Sequence, residues 1–359
     1  MATLASAVAW LILLDAVIGF TTANPFVAAA GDVGRLGNYF NYGRSVEGKV
    51  QGMLNGVDAH PLAKAGWIEA PSDQPRRPGQ EQDLLIAAYG MSFAAHIVHG
   101  MADDDPRIAV RFAGGPGATL SHSYTMYLAD RGHHDAKVVV LGILASSIPG
   151  LVTVSHMTWN FEAPSPHFYP RFQWKNGKLE RYDPSIRSLD DLKLAVSDRR
   201  RWSALKSELA QHDAFYDPLV FGSFLDESAV IRLARRGLGQ RSKRLTLERF
   251  HDHSGFKNES GMLDAMRGLV AAFVSDVRND GKIPVVVAIN DRGYSDHLHR
   301  VLAPGLVDSR ALYFSTHELA PATEAGNFLA DGHFVPAKDR LFARKLAELI
   351  NARLGRRGL

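Results

Sequence analysis

Asp83-Leu84-Leu85-Ile86-Ala87-Ala88-Tyr89-Gly90-Met91-Ser92-Phe93-Ala94-Ala95-His96-Ile97-Val98 is the stretch that decides the fold. Leu84 to Tyr89 is a short apolar run of the kind that makes a buried strand, Gly90 permits a sharp turn, and Phe93 to Val98 can begin a helix. Ser92 then falls at a strand-to-helix junction. Its hydroxyl would sit beside unpaired backbone N–H groups and the positive end of the helix dipole, where a developing oxyanion is stabilised. The same local sequence also fits a serine that only caps the helix.

Working outward, four more apolar runs have strand character. Arg107 to Phe112 leads into Gly114 and Gly115, and Lys137 to Leu144 leads into Ala145-Ser146-Ser147. Asn258 to Val277 repeats Leu263, Met266, Leu269, Val270, Phe273, Val274 and Val277 at helical spacing. The turn Asn279-Asp280-Gly281 and the run Ile283 to Ile289 follow, and Ala311 to Ser315 is the last run. Helix, turn and apolar strand in that order make a parallel crossover. The alternation predicts an α/β fold, a three-layer α/β/α sandwich around a mostly parallel five-stranded sheet. Asp291-Arg292-Gly293-Tyr294 opens a loop at a strand's carboxyl end, where ligands bind in open sheets of this class. Asp291 is there either as a second carboxylate for a site or as the start of a helix.

Near the other end, Phe328-Leu329-Ala330-Asp331-Gly332-His333-Phe334 runs into an amphipathic helix with Leu341, Phe342, Leu346, Leu349 and Ile350 on its apolar face. A serine hydroxyl is a poor nucleophile at neutral pH. It needs a histidine to take its proton and a carboxylate to hold that histidine in the right tautomer. Ser92, His333 and Asp331 supply one of each. Read alone, Asp331 and His333 also fit an ordinary helix-start aspartate with a surface histidine.

These fragments and the order of elements between them resemble the SGNH/GDSL hydrolase superfamily. The resemblance covers roughly residues 80–147 and 283–355. It implies a flavodoxin-like sheet, Ser92 as nucleophile, His333 as acid–base, Asp331 as its orienter, and Gly115 or Gly114 as an oxyanion donor. The third block has its strand and Gly142 but no following asparagine, so Ser146, Ser147 or a tyrosine would have to substitute. The Asp-x-His spacing is similar to the branch that includes the alginate O-acetylation proteins, which are membrane-associated and act on exported polysaccharides. The expected activity is a serine-dependent esterase or O-acyltransferase acting on acyl groups of an extracytoplasmic carbohydrate. The expected partners are a carbohydrate or small acyl ester and a membrane acyl-transfer protein, and no cofactor is implied. The rival is a non-catalytic glycan-binding or scaffold protein, favoured by the missing asparagine.

The rest of the chain sets the frame. With 359 residues and 46% hydrophobic content it can build a real core. A net charge of +3 and dispersed basic residues fit a solvated surface better than nucleic-acid recognition. No cysteine is present, so disulfides, thiol nucleophiles and thiolate metal sites are excluded. Fifteen histidines, among them His297-Leu298-His299, form no His-Glu-x-x-His frame, and no metal is expected. Residues 1–30 are almost wholly apolar around Asp15 and read as a membrane anchor, as a signal segment cleaved near Ala28-Ala29-Ala30, or as a buried helix. The anchored, extracytoplasmic reading follows the family resemblance. Arg35, Arg44 and Lys49 argue against it by the positive-inside rule. Residues 31–82 read as an extension with a helix from Ser45 to Leu54 and a Pro-rich link at Pro71 to Pro78. The domain of residues 83–355 carries an insertion, 148–256, with helices over Leu189 to Leu209 and Asp226 to Leu238. Within it Trp159, Phe168, Tyr169 and Arg171 interleave with prolines. They suit either a glycan-facing loop or a loop packed on its own aromatics.

Overall fold

The computed structural model describes residues 2–23, 39–55, 58–307 and 309–356. The chain divides into two compact units. The first combines residues 1–64, 155–167 and 192–246, and the second combines 65–154, 168–191 and 247–359. The insertion is therefore not one block, because its stretch 168–191 belongs to the sheet-bearing unit.

That second unit is built on five parallel strands, β1 (Leu84–Gly90), β2 (Ile108–Gly114), β3 (Val138–Leu144), β8 (Ile283–Ile289) and β9 (Leu312–Ser315), in the order β2-β1-β3-β8-β9. Two small antiparallel hairpins pair β4 (Arg171–Lys175) with β5 (Lys178–Tyr182), and β6 (His251–Asp252) with β7 (Gly255–Phe256). β1 and β3 are buried along their whole length, which is why they read as unbroken apolar runs. On one face, α3 (Ser92–Asp104) and α10 (Pro336–Leu354) pack together over Ile86, Ala88, Val140, Val287 and Phe314. On the other lie α4 (Leu120–Asp130), α8 (Met262–Asn279) and α9 (His297–Leu306). The result is a three-layer α/β/α sandwich whose strand order reverses between β1 and β3, the switch point outside which ligands bind in such sheets.

Beneath α4 a buried network ties the layers. The Arg111 guanidinium donates to the Asp130 carboxylate at 2.8 Å from Nε, and the Tyr89 hydroxyl donates to the same carboxylate at 2.9 Å. A buried cation with its carboxylate and further donors satisfied is tolerated where an unpaired charge would not be.

The first unit contains α1 (Ala2–Ala23), α2 (Val46–Leu54), α6 (Arg199–His212) and α7 (Ala229–Phe250, of which residues up to 246 belong here); α5 (Leu189–Ser197) straddles the boundary. The string Asn41 to Ser45 is a turn and a cap: the Gly48 N–H donates to the Ser45 hydroxyl at 2.9 Å. Arg235 is not part of a solvated basic face. It is 6% exposed and paired with Asp226, which also accepts from the Ser45 N–H and hydroxyl.

The expected membrane span is overturned. Among the described residues no helix is long and apolar enough to cross a membrane. Asp15, midway along α1, accepts from the Ser228 hydroxyl at 3.0 Å and the Val230 N–H at 2.9 Å, satisfying the start of α7. A carboxylate at that depth is costly in hydrocarbon and well used here. The anchored, extracytoplasmic placement and the membrane-borne acyl-transfer partner lose their basis with the span. The cleavage position at Ala28 to Ala30, and Arg35 after it, lie outside the described residues.

Candidate active site

β1 ends at Gly90 because a tight helix must start there. A Cβ on Gly90 would come 2.8 Å from the Ala94 Cβ, and one on Gly142 of β3 would press on the same methyl more closely still. Two glycines and an alanine let the first turn of α3 lie directly against the strand ends. Met91 is the extended N-cap residue, with no side-chain cap hydrogen bond, and Ser92 is the first helical residue. The capping reading of Ser92 therefore fails. Its exposed hydroxyl is instead 2.7 Å from His333 Nε2.

His333 is held from several sides. Its backbone N–H donates to Asp331 Oδ1 at 3.1 Å, and its Nδ1 lies 3.3 Å from Asp331 Oδ2. Gly332 supplies the left-handed φ of +92° that folds Asp-x-His back on itself. The next residue, Phe334, is buried against Phe328 and Phe342, and the Leu329 N–H donates to the His333 carbonyl at 2.7 Å. Phe93, next to the serine, stacks on the imidazole with ring centres 4.6 Å apart. The His333 N–H, and then the imidazole itself, hold the Asp331 carboxyl below its ordinary range, so it is ionised at neutral pH. A hydroxyl, an imidazole and a carboxylate in line are thus brought together from positions 92, 333 and 331.

A second pair adjoins them that the sequence did not single out. His96 Nδ1 lies 3.3 Å from Asp339 Oδ2, and the His96 ring is 5.4 Å from that of His333. Burial raises the Asp339 carboxyl, against the pull of the two imidazoles. The signal was available: His96 is four residues after Ser92 on one helix face, and Asp339 is in the first turn of α10.

Gly114 pairs with Gly90 in register, which places it and Gly115 beside the strand that leads to Ser92, at the carboxyl edge. Ser146 does not present its N–H to a substrate. That N–H donates to Asp291 Oδ1 at 3.0 Å, and the Ser147 hydroxyl donates to the Leu144 carbonyl at 2.9 Å. Asp291 is buried, and burial pushes its carboxyl up to about 6 against the hydrogen bonds from Ser146. It is an internal strut rather than the start of a helix.

The glycan-facing loop is corrected in its middle. Phe168 and Tyr169 are 2% and 0% exposed, so neither face can stack on a sugar, and the Tyr169 hydroxyl is bonded to that of Thr153. Arg171 is half-buried at the head of β4. Trp159 belongs to the first unit, on the single turn His156–Trp159, edge-on to His156. The alternative of a loop packed on its own aromatics describes this segment better. Elsewhere in the sheet-bearing unit, His299, His317 and Glu318 each bring one ligand atom within 4.8 Å of the others.

No protein-family model, curated protein or solved structure matches this chain.

Proposed function

We propose that this chain is a serine-dependent ester hydrolase or O-acyltransferase with an SGNH-like site. The observation that carries the reading is the 2.7 Å contact of Ser92 Oγ with His333 Nε2, with Asp331 3.3 Å from the other ring nitrogen. The family likeness is supported by a nucleophile after the first sheet strand, at the switch point, and an Asp-x-His turn before the last helix. Ser92 Oγ attacks the acyl carbonyl carbon while His333 Nε2 takes the hydroxyl proton and Asp331 faces the resulting imidazolium. The N–H groups of Ser92 and Gly115 are the assigned donors to the oxyanion. Collapse breaks the ester C–O bond, and His333 returns the proton to the leaving alkoxide. Water or an acceptor hydroxyl then gives its proton to His333, attacks the acyl-serine and releases Ser92. The exposed position of Ser92 suits an acyl group displayed on a large molecule, and an O-acylated carbohydrate is the substrate class the likeness suggests.

The test is covalent labelling of the full chain with a fluorophosphonate serine probe, in wild type, Ser92→Ala and His333→Ala. Wild type labels at one site, and both variants lose labelling by roughly 10⁴-fold or more, because members of such a triad act as a unit. A folded wild type that does not label overturns the enzyme reading in favour of a non-catalytic binding protein.

A further inference from the structure

His299 and His317 are not neighbours in sequence, yet their ring centres are 4.3 Å apart. His299 lies in the first turn of α9, and His317 and Glu318 follow directly on β9. Each imidazole has its Nδ1 engaged: His299 with the Tyr313 hydroxyl at 3.0 Å, His317 with the Ser315 hydroxyl at 2.8 Å. Ser315 is itself fully buried and accepts from the Asn290 amide at 3.0 Å, so it is a fixed anchor. With Nδ1 engaged, Nε2 is the atom each ring has left to offer an ion, and one ligand atom from each of His299, His317 and Glu318 lies within 4.8 Å of the others.

We infer that His299, His317 and Glu318 form a binding site for one divalent transition-metal ion, with Tyr313 and Ser315 orienting the two imidazoles. Two imidazoles and one carboxylate are a donor set that suits zinc and its neighbours in the first transition row, and leave a coordination position for water. Oxygen partners on the far ring nitrogens are the usual companions of ligating histidines, because they fix the tautomer that exposes the other lone pair. Ligand atoms within 4.8 Å of one another need to close by about an ångström around an ion bound at roughly 2.1 Å, and the exposed Glu318 side chain is free to swing inward. The site is separate from Ser92. β9 is three strands from β1, and at about 4.8 Å per strand this puts the two roughly 14 Å apart. The ion would not touch an ester carbonyl at the serine, so the inference does not depend on the proposed activity.

The test uses full-length protein stripped with a chelator. Co²⁺ is titrated in while its visible d–d absorption is followed, and Zn²⁺ binding is measured by calorimetry. Wild type is expected to bind one ion per chain, with Co²⁺ bands of low coordination number. Glu318→Gln and His317→Ala should lose saturable binding, and Ser315→Ala should weaken it by about 10- to 100-fold. Glu318 is on the surface, so its variant keeps the fold and the loss can be read directly. Absence of saturable binding in wild type overturns the inference. So does saturable binding undiminished in His299→Ala and Glu318→Gln, which places the ion on others of the fifteen histidines.

Discussion

The reaction proposed at His333 would depend on charges that Ser92, His333 and Asp331 do not supply. In the proposed reaction, proton transfer from Ser92 would make an imidazolium beside His96, and the Asp339 carboxylate, 3.3 Å from His96, would offset that crowding. Asp339→Asn removes a negative charge from a cluster of two imidazoles, which disfavours their protonated forms. The acid limb of the Ser92 labelling profile should move to lower pH by about one unit, with a lower plateau rate. An unmoved limb would mean Asp339 serves only to hold His96. Asp291 makes a different pH prediction, on stability. Its carboxyl titrates at about 6 in the folded protein and near 3.9 when unfolded, so the native state binds more protons between those values. Its contribution is fully present below about pH 4 and is lost as pH rises through 6, an effect on the order of 3 kcal/mol. Asp291→Asn keeps an acceptor for the Ser146 N–H and cannot titrate. Urea unfolding from pH 4 to 7 should show the fall in wild type and a flatter curve in the variant.

The elements carrying these residues meet at glycine, and here the packing tolerates little. A methyl on Gly142 would meet the Ala94 Cβ well inside contact distance, with Ile289 close behind. Gly142→Ala should cost about 1–3 kcal/mol by forcing α3 away from the sheet, measurable as a lower midpoint of thermal unfolding. Because α3 begins at Ser92, labelling should slow as well, and Ala94→Gly in the same chain should restore part of both losses. Much of this frame was legible. Leu84 to Tyr89, Val138 to Leu144 and Ile283 to Ile289 sit on strands enclosed by helices, so continuous apolar runs were a direct record of burial. The Asp-Gly-His turn was readable only together with Ser92, since a glycine between a carboxylate and an imidazole permits a local fold-back without requiring one. The sequence leaves Phe168 and Tyr169 open between two readings because aromatic residues between prolines carry the same local signal whether they face a sugar or a core. What decides it is the Thr153 hydroxyl and the β4 hairpin, which no local pattern reports. The converging His299 and His317 were hidden for the same reason, since only the β9-to-β8 pairing brings the loops after both strands together.

On the scale of the whole chain, the division into two units is the least legible feature, because the first unit is assembled from three separated stretches. Its centre shows why. Ser45 and Asp226 are 181 residues apart, and the Asp226 carboxylate accepts from the Ser45 N–H at 3.0 Å, from its hydroxyl at 2.6 Å, and from the buried Arg235. A buried pair between residues this far apart leaves no local trace, since a charge reads as solvated until its partner is known. Asp226→Ala leaves the Arg235 guanidinium buried without its carboxylate, a change that typically costs about 3–5 kcal/mol. The α2 N-terminus loses an anchor at the same time, because Ser45 is both the cap of α2 and a donor to Asp226. Amide hydrogen exchange on the full chain should therefore show lost protection in α2 and in the part of α7 up to residue 246. The amides of β1, β3 and β8, whose core contains no residue of the first unit, should keep theirs. Ser92, Asp331 and His333 all belong to the second unit, so fluorophosphonate labelling should persist in this variant even as the first unit opens. Uniform loss of protection, with labelling gone, would show instead that the two units unfold as one.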